Sequence, residues 1–285
     1  MKFTYTLLLS ILTLLPIQSI AQTNVEEFTF LSYNIRFNNP HDNENWWGHR
    51  KEAVVDLITN EFPIAFGVQE AVLDQMTYID NNTPGYSYIG VGRDDGKTKG
   101  EFSAIFYNTN KLNVLKSGTF WLSETPNEVS KGWDAALPRV CTYAQFEHKD
   151  SGIVFWLFNT HFDHVGNKAR VESAKLIATK IDEFTEEDTP VILTGDFNLT
   201  PDTEAMTKLR DYLQDGALAK STDLQGPVGT FSGFKLDAPL DRRIDYIYSK
   251  NVTVNAYKHL DTKRPNGLWV SDHLPVVSKV SMKKP

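Results

Sequence analysis

Pro190-Val191-Ile192-Leu193-Thr194-Gly195-Asp196-Phe197-Asn198 is the stretch on which the reading of the chain turns. Apolar and β-branched residues run without a charge into a glycine, and an aspartate and an asparagine follow two positions apart. An apolar run of this length reads as a strand covered on both faces, with a polar tip at its C-terminal end. Gly195 permits an unusual backbone or a close approach, and residues at i and i+2 share a side wherever the chain stays extended. Asp196 and Asn198 are thus expected to point together into one cleft. The competing reading is an ordinary turn, since Gly, Asp and Asn are turn formers. What other strands end in decides between them.

Working outward, the same ending recurs. Residues 28–34 form an aromatic and apolar strand ending in Asn34, and 63–70 form a buried strand ending in Glu70. Residues 153–161 end in His161, with Asp163 and His164 just beyond. Asp245 is embedded in an alternating strand over 241–248, and Asp272 and His273 stand together just before the last strand. Between these, helical spacing of apolar residues predicts helices over 46–60, 71–82, 169–184 and from about 203 to 213. Residues 102–107 and 112–121 are expected to pair as a hairpin, and 252–260 to pair with the 241–248 strand across Lys250-Asn251. Strands without alternation need cover on both faces, and the helices are too few to cover one large sheet twice. Two mixed sheets packed on each other with helices outside, a four-layer α/β/β/α sandwich, meet both demands.

The first 21 residues read as a signal peptide. Lys2 supplies the positive start, 3–20 are mostly apolar and uncharged, and Ser19-Ile20-Ala21 fits a small-x-small cleavage site. The apolar run is interrupted by Thr, Ser, Pro and Gln, so a retained membrane anchor is the weaker reading. Residues 22–285 are expected to be a single catalytic domain, exported to the periplasm or secreted, and monomeric. With one cysteine, Cys141, no intramolecular disulfide is available. Removing the leader takes one lysine and leaves 28 basic against 36 acidic side chains, a net charge of -8. That balance argues against a general polyanion trap, but not against nucleic acid held locally through a metal.

Two loops add candidates. The glycine-rich charged segment 92–100 is either a solvated connection or a substrate-facing loop carrying Arg93. The irregular segment 123–138 leads to Arg139, and long ordered loops in compact domains are often functional. Trp46, Trp47 and Trp133 read as packing residues that could also stack a base or sugar. Carboxylates and amides dominate the strand tips, with no cysteine partner and no His-x-x-x-His, a donor set that suits Mg²⁺, Mn²⁺ or Ca²⁺ rather than zinc. Hard cations held by few protein ligands commonly serve phosphate oxygens.

The set Ser32-Tyr33-Asn34, Val68-Gln69-Glu70, Asn159-Thr160-His161, Gly195-Asp196-Phe197-Asn198, Arg243-Ile244-Asp245-Tyr246 and Ser271-Asp272-His273 resembles the endonuclease/exonuclease/phosphatase superfamily. The glycine-rich loop and Trp133–Arg139 resemble an exported bacterial branch, itself similar to the deadenylase-like members. The resemblance implies that Glu70 ligates Mg²⁺ or Mn²⁺, with Asn34 beside it and Asp272 near. It implies that His273, oriented by Asp245, contacts the scissile phosphate or handles its proton. Asp196 would orient or deprotonate the attacking water, Asn198 would bind the phosphate, and His161 would donate to a non-bridging oxygen. Asp196 and His273 both remain open as the base. Tyr107 resembles a phosphate-touching tyrosine of some relatives, and Arg93 and Arg139 are expected substrate contacts.

The leading expectation is a metal-dependent phosphoesterase acting as a nuclease, endonuclease or 3'-5' exonuclease. The alternative is a phosphatase or phosphodiesterase on a phospholipid head group, sugar phosphate or nucleotide. The third reading, a binding module that lost the chemistry, would be favoured by loss of Glu70, Asp196, Asn198 or His273, and none is lost.

Overall fold

The computed structural model describes residues 1–2 and 24–285. The leader read at 1–21 lies outside them apart from Met1 and Lys2. In chain order the regular elements are β1 (Val25–Asn34), α1 (Lys51–Asn60), β2 (Ala65–Ala71), α2 (Leu73–Asn82), β3 (Tyr86–Ile89), β4 (Phe102–Asn108), β5 (Leu112–Trp121), β6 (Val140–His148) and β7 (Val154–His161). They continue with α3 (Asn167–Phe184), β8 (Val191–Asp196), α4 (Glu204–Tyr212), β9 (Gln214–Asp215), β10 (Leu224–Gln225), β11 (Asp245–Lys250), β12 (Thr253–His259) and β13 (Val276–Lys283). One sheet has the order β10-β12-β13-β1-β2-β4-β3 and the other β5-β6-β7-β8-β11-β9. Both are mixed: β1 runs parallel to β2 and antiparallel to β13, while β8 runs parallel to β7 and antiparallel to β11.

Successive residues of a strand face opposite sides, and here both sides are covered. From β1, Phe28 and Phe30 enter the core between the sheets, where Phe30 meets Phe155 of β7 edge-on at 5.6 Å. Leu31 and Tyr33 turn outward against Val54, Leu57 and Ile58 of α1 and Met76 and Ile79 of α2. In β8, Ile192 faces inward while Val191 and Leu193 pack against Ala174, Ile177 and Ile181 of α3 and Met206 and Leu209 of α4. Burying such a side chain contributes about 1.5–3 kcal/mol, which is why uninterrupted apolar runs sit between two layers. The four-layer α/β/β/α order is therefore the observed one.

A polar tie interrupts the inter-sheet core just below the cleft. Asn159 of β7 donates to the carbonyls of Val68 and Ala104 in the opposite sheet, at 2.9 Å each, and its Oδ1 accepts from Gln69 at 2.7 Å and Thr194 at 3.0 Å. Gly67 makes room for it: a Cβ there would lie 2.3 Å from Asn159 Oδ1. Satisfied buried amides of this kind fix how two layers sit on each other. Among the described residues no helix is long and apolar enough to cross a membrane.

Four expectations change. The 102–107 and 112–121 strands do not pair: β4 belongs to the first sheet and β5 to the second. Likewise β11 and β12 lie in different sheets, so both short connections pass between layers. Two-residue hairpins favour positive φ in the loop; the 108–112 connection has no such residue and the 250–253 connection has only Asn251, φ 59°. The helix expected over 46–60 begins at Lys51, after a 3-10 turn over Trp47–His49. The buried Arg50 side chain holds that break by donating to the carbonyls of Ile35 and Val270. Finally, Asp245 opens β11 instead of lying within a longer strand.

Candidate active site

The parallel and antiparallel registers place three predicted residues side by side. His161 pairs with Asp196 across β7 and β8, and Asp196 pairs with Asp245 across β8 and β11. Gly195 permits this through close approach, since a Cβ would stand 2.6 Å from the Thr160 carbonyl. From the other sheet, Asn34 ends β1 beside Gln69, and the β2–β4 register shifts between Val68 and Ala71, which re-aims Glu70 at φ 63°. Arg36 (φ 59°) and Asn198 (φ 52°) are also left-handed. Such backbone in residues other than glycine costs on the order of 1–3 kcal/mol and collects at functional sites.

Side chains join the two sheet ends. The Asn34 amide donates to Glu70 Oε1 at 3.0 Å and Asp196 Oδ2 at 2.9 Å, while its oxygen accepts from the Arg36 N–H. The resemblance placed Asn34 on the cation; here it orients two carboxylates, with its own oxygen already engaged. The chain does not remain extended after Asp196. Instead Asp196 Oδ1 accepts from the Asn198 backbone at 2.8 Å, and the Asn198 amide donates to the Phe162 carbonyl and His161 Nε2. Asp196 and Asn198 meet through a local turn, not through strand pleat. Arg243, two positions before Asp245, bonds to Asp215 at 2.9 and 2.7 Å and not to Asp245. Asp245 is left to hold His273 Nδ1 at 2.9 Å and to accept from Thr230 at 2.6 Å.

The charges follow from this packing. Burial pulls the His273 imidazole down, but the carboxylates of Asp245 and Asp196 outweigh it and hold the ring protonated well above its ordinary range. Burial, with repulsion from Asp245, pushes the Asp196 carboxyl up. Burial and the nearby Arg139 and Arg93 guanidiniums keep His161 neutral. Burial also raises Asp272.

The cleft above these groups measures about 370 Å³ and includes Arg36, Glu70, Glu101, Arg139, His161, Asp196, Asn198, Phe231, Asp272 and His273 in its lining. Two surface grooves, of about 590 and 780 Å³, are larger, but neither is lined by the strand-tip residues. Size is the poorer guide here: convergent perturbed groups mark a site. Two expected contacts lie elsewhere. Tyr107 sits opposite Ala65, at the far end of β2 from Glu70, and packs on Phe146 in the inter-sheet core. Arg93 is buried under the cleft and binds Glu101 with both guanidinium ends, at 2.6 and 3.0 Å. Arg36, Glu101 and Phe231 enter the lining without having been singled out in sequence. Glu101 closes a charged loop and Phe231 follows a glycine-rich one, so neither sits at an apolar strand's polar tip.

A family model described as the Endonuclease/Exonuclease/phosphatase family matches residues 31–273, from β1 to His273. The chain belongs to that family. An endonuclease/exonuclease/phosphatase family protein from Bacteroides thetaiotaomicron is 40% identical and covers 91% of this chain and 99% of its own, with a TM-score of 0.86. A mannosyl-6-phosphatase from the same organism is also 40% identical, covering 89% of this chain and 99% of its own, with a TM-score of 0.83. A protein of Acanthamoeba polyphaga mimivirus is 29% identical over 245 residues, 81% of this chain and 91% of that protein.

As an endonuclease/exonuclease/phosphatase family member, the protein is a metal-dependent phosphoester hydrolase. Its residues fit a divalent cation. Ligand atoms of Glu70, Asp196 and His273 lie within 4.8 Å of one another, and burial, then the neighbouring Asp245 charge, raises the proton affinity of Asp196. Glu70, which the resemblance implies as a ligand, and Asp196 are the carboxylates of the cluster that could hold the cation. Asp272 stands outside that cluster, with its carboxylate 4.0 Å from the Arg36 guanidinium and bonded to Ser271.

Proposed function

We propose that the protein removes the phosphate from a small phosphorylated sugar. The observation that carries this is Arg139: it is buried at the cleft, bonded to His164 through one nitrogen and paired through Nε with Asp163 at 3.5 Å, with Nη1 making no hydrogen bond. Asp163 offsets part of the Arg139 charge and leaves Nη1 as a donor for a further anion. His161 Nδ1 is likewise without a partner. Because Asn198 donates to its Nε2, the His161 proton lies on Nδ1, ready for an oxyanion. A terminal phosphate, with two charges and three free oxygens, uses these donors more fully than a bridging diester does. The likeness to the mannosyl-6-phosphatase and the acidic surface both support a small substrate over a polynucleotide, so the nuclease expectation yields to its alternative.

In this reading Arg139, His161 and Asn198 hold the phosphate oxygens. Asp245 and Asp196 favour the protonated form of His273, so Asp196 is the group assigned to take the proton of the attacking water. As the bond from phosphorus to the sugar oxygen breaks, His273 stabilises the developing negative charge and gives its proton to the departing sugar oxygen, while Asp245 holds the ring in place. Mg²⁺ or Mn²⁺ held by Glu70 and Asp196 would supply charge neutralisation at the phosphate. Export is part of the proposal, with a mature N-terminus at Gln22 detectable by mass spectrometry of the secreted protein.

Phosphate release from mannose 6-phosphate and glucose 6-phosphate is measured against bis-nitrophenyl phosphate and single-stranded RNA and DNA, with Mg²⁺ or Mn²⁺ and with Asp196→Asn as control. The sugar phosphates are expected to be turned over fastest. Cleavage of the oligonucleotides without phosphate release from either sugar would sink the proposal.

A further inference from the structure

The loop before β4 is a rigid support. Its backbone closes on itself through Gly92 N–H to the Lys97 carbonyl at 3.0 Å and Asp94 N–H to the Lys99 carbonyl at 3.1 Å, and Asp95 accepts from the N–H groups of Lys97 and Lys99. The Arg93 N–H donates to the Glu101 carbonyl, and the Arg93 carbonyl receives the Trp121 indole at 2.8 Å. Both ends of the Arg93 guanidinium are used on Glu101. Fork-to-carboxylate pairing fixes orientation as well as charge. What the loop presents to the cleft is therefore a carboxylate, although phosphate binding alone calls for cations.

Its position gives that carboxylate a use. Glu101 Oε2 stands 3.8 Å from His161 Nδ1, too far for a direct bond and close to the free donor assigned to phosphate. Burial pushes the Glu101 carboxyl up to about 7 against the pull of Arg93, and in its ionised form a phosphate oxygen against it would meet like charge. A hydroxyl attached to the phosphorylated group would meet an acceptor, since a carboxylate held by Arg93 keeps further lone pairs. We infer that Glu101 is a specificity-determining residue that accepts a hydrogen bond from a hydroxyl of the group carrying the phosphate, and that Arg93 is its positioning residue. The inference rests on the sugar-phosphate reading above. A site built to bond a substrate hydroxyl rejects analogues lacking it, because its own polar group is then left unpaired.

The test compares kcat/KM for mannose 6-phosphate and for p-nitrophenyl phosphate, which has no hydroxyl beside its phosphate, in the native protein and in Glu101→Gln. The variant is expected to lose about 10–100-fold on the sugar phosphate, the range for a hydrogen bond to a charged group, and less than about 3-fold on the aryl phosphate. Equal losses on both substrates would mean that Glu101 acts only through His161, and no loss on the sugar would mean no contact; either result overturns the inference. So would a shift in the Mg²⁺ concentration for half-activation, which would put Glu101 on the cation. Should Glu101→Gln not fold, Glu101→Asp keeps the charge, withdraws it by one methylene and is expected to lose the same discrimination. A native protein that hydrolyses the aryl phosphate but neither sugar phosphate fails at the earlier reading, before any variant is compared.

Discussion

The two walls of the cleft are built differently. One wall carries Asn34, Glu70, Asp196, Asp245 and His273, each at or beside the end of a strand and bonded within the set. The other carries Glu101, Leu137, Arg139 and His164, delivered by loops and by the entrance to β6. Strand register fixes the Asp196 and Asp245 tips of the first wall beside each other. The second depends on loop tethers and keeps donors unpaired, so it is where substrates can be told apart. Chemistry on a rigid frame and choice on loops is the usual division of labour in such folds.

The comparison breaks most visibly at Asp196. Asp196→Asn should lower kcat by roughly 10³-fold on every phosphoester, the scale of lost base catalysis, read from steady-state rates on p-nitrophenyl phosphate. Retention of activity within tenfold would move the chemical step off the strand-tip wall. At Glu70, Gln should raise the Mg²⁺ concentration for half-activation by roughly 10–100-fold with a smaller change in rate at saturating metal, and an unchanged titration removes Glu70 as a ligand. On the loop wall, Arg139→Gln should weaken competitive inhibition by inorganic phosphate by about tenfold, as for one lost charge-assisted hydrogen bond. An unchanged inhibition constant would leave Arg139 a packing residue.

The smallest expected effect is on stability with pH. Burial would raise the Asp163 carboxyl, but the N–H groups of Gly166, Val165 and Ala136, with Arg139 nearby, outweigh it and hold the group down to about 2. The folded value lies below the ordinary one of 3.8, so the unfolded chain binds more protons between them. The contribution is complete above about pH 4 and is lost as pH falls through 2. Urea midpoints of the native protein and Asp163→Asn should therefore differ at pH 7 and converge toward pH 2. A gap that widens on acidification would contradict the assignment.

The two walls were also unequally legible. Asn34, Glu70, His161 and Asp196 could be found because an apolar run ending in one polar residue is a pattern visible in one dimension. Glu101 follows a charged loop and resembles solvated surface until its fork to Arg93 is seen. Arg93 looked like the substrate contact because a loop arginine has reach, and nothing in sequence says that Glu101 already holds it. Tyr107 failed for a different reason: β4 runs antiparallel to β2, which carries its C-terminal end away from the site.

By itself, the sequence determined the layers, because apolar runs without alternation demand cover on both faces, and it determined which residues end the strands. Pro190–Asn198 was read correctly as a buried strand with a polar tip, and that tip lines the cleft. Only the tertiary structure decided how Asp196 and Asn198 meet, by a turn in place of pleat, and which strands share a sheet. It also decided that Asn34 serves carboxylates and that Arg93 serves Glu101. The physical reason is common to all four: burial propensity is a property of each residue, whereas a hydrogen-bond partner is a property of two distant ones, chosen when the sheets close on each other.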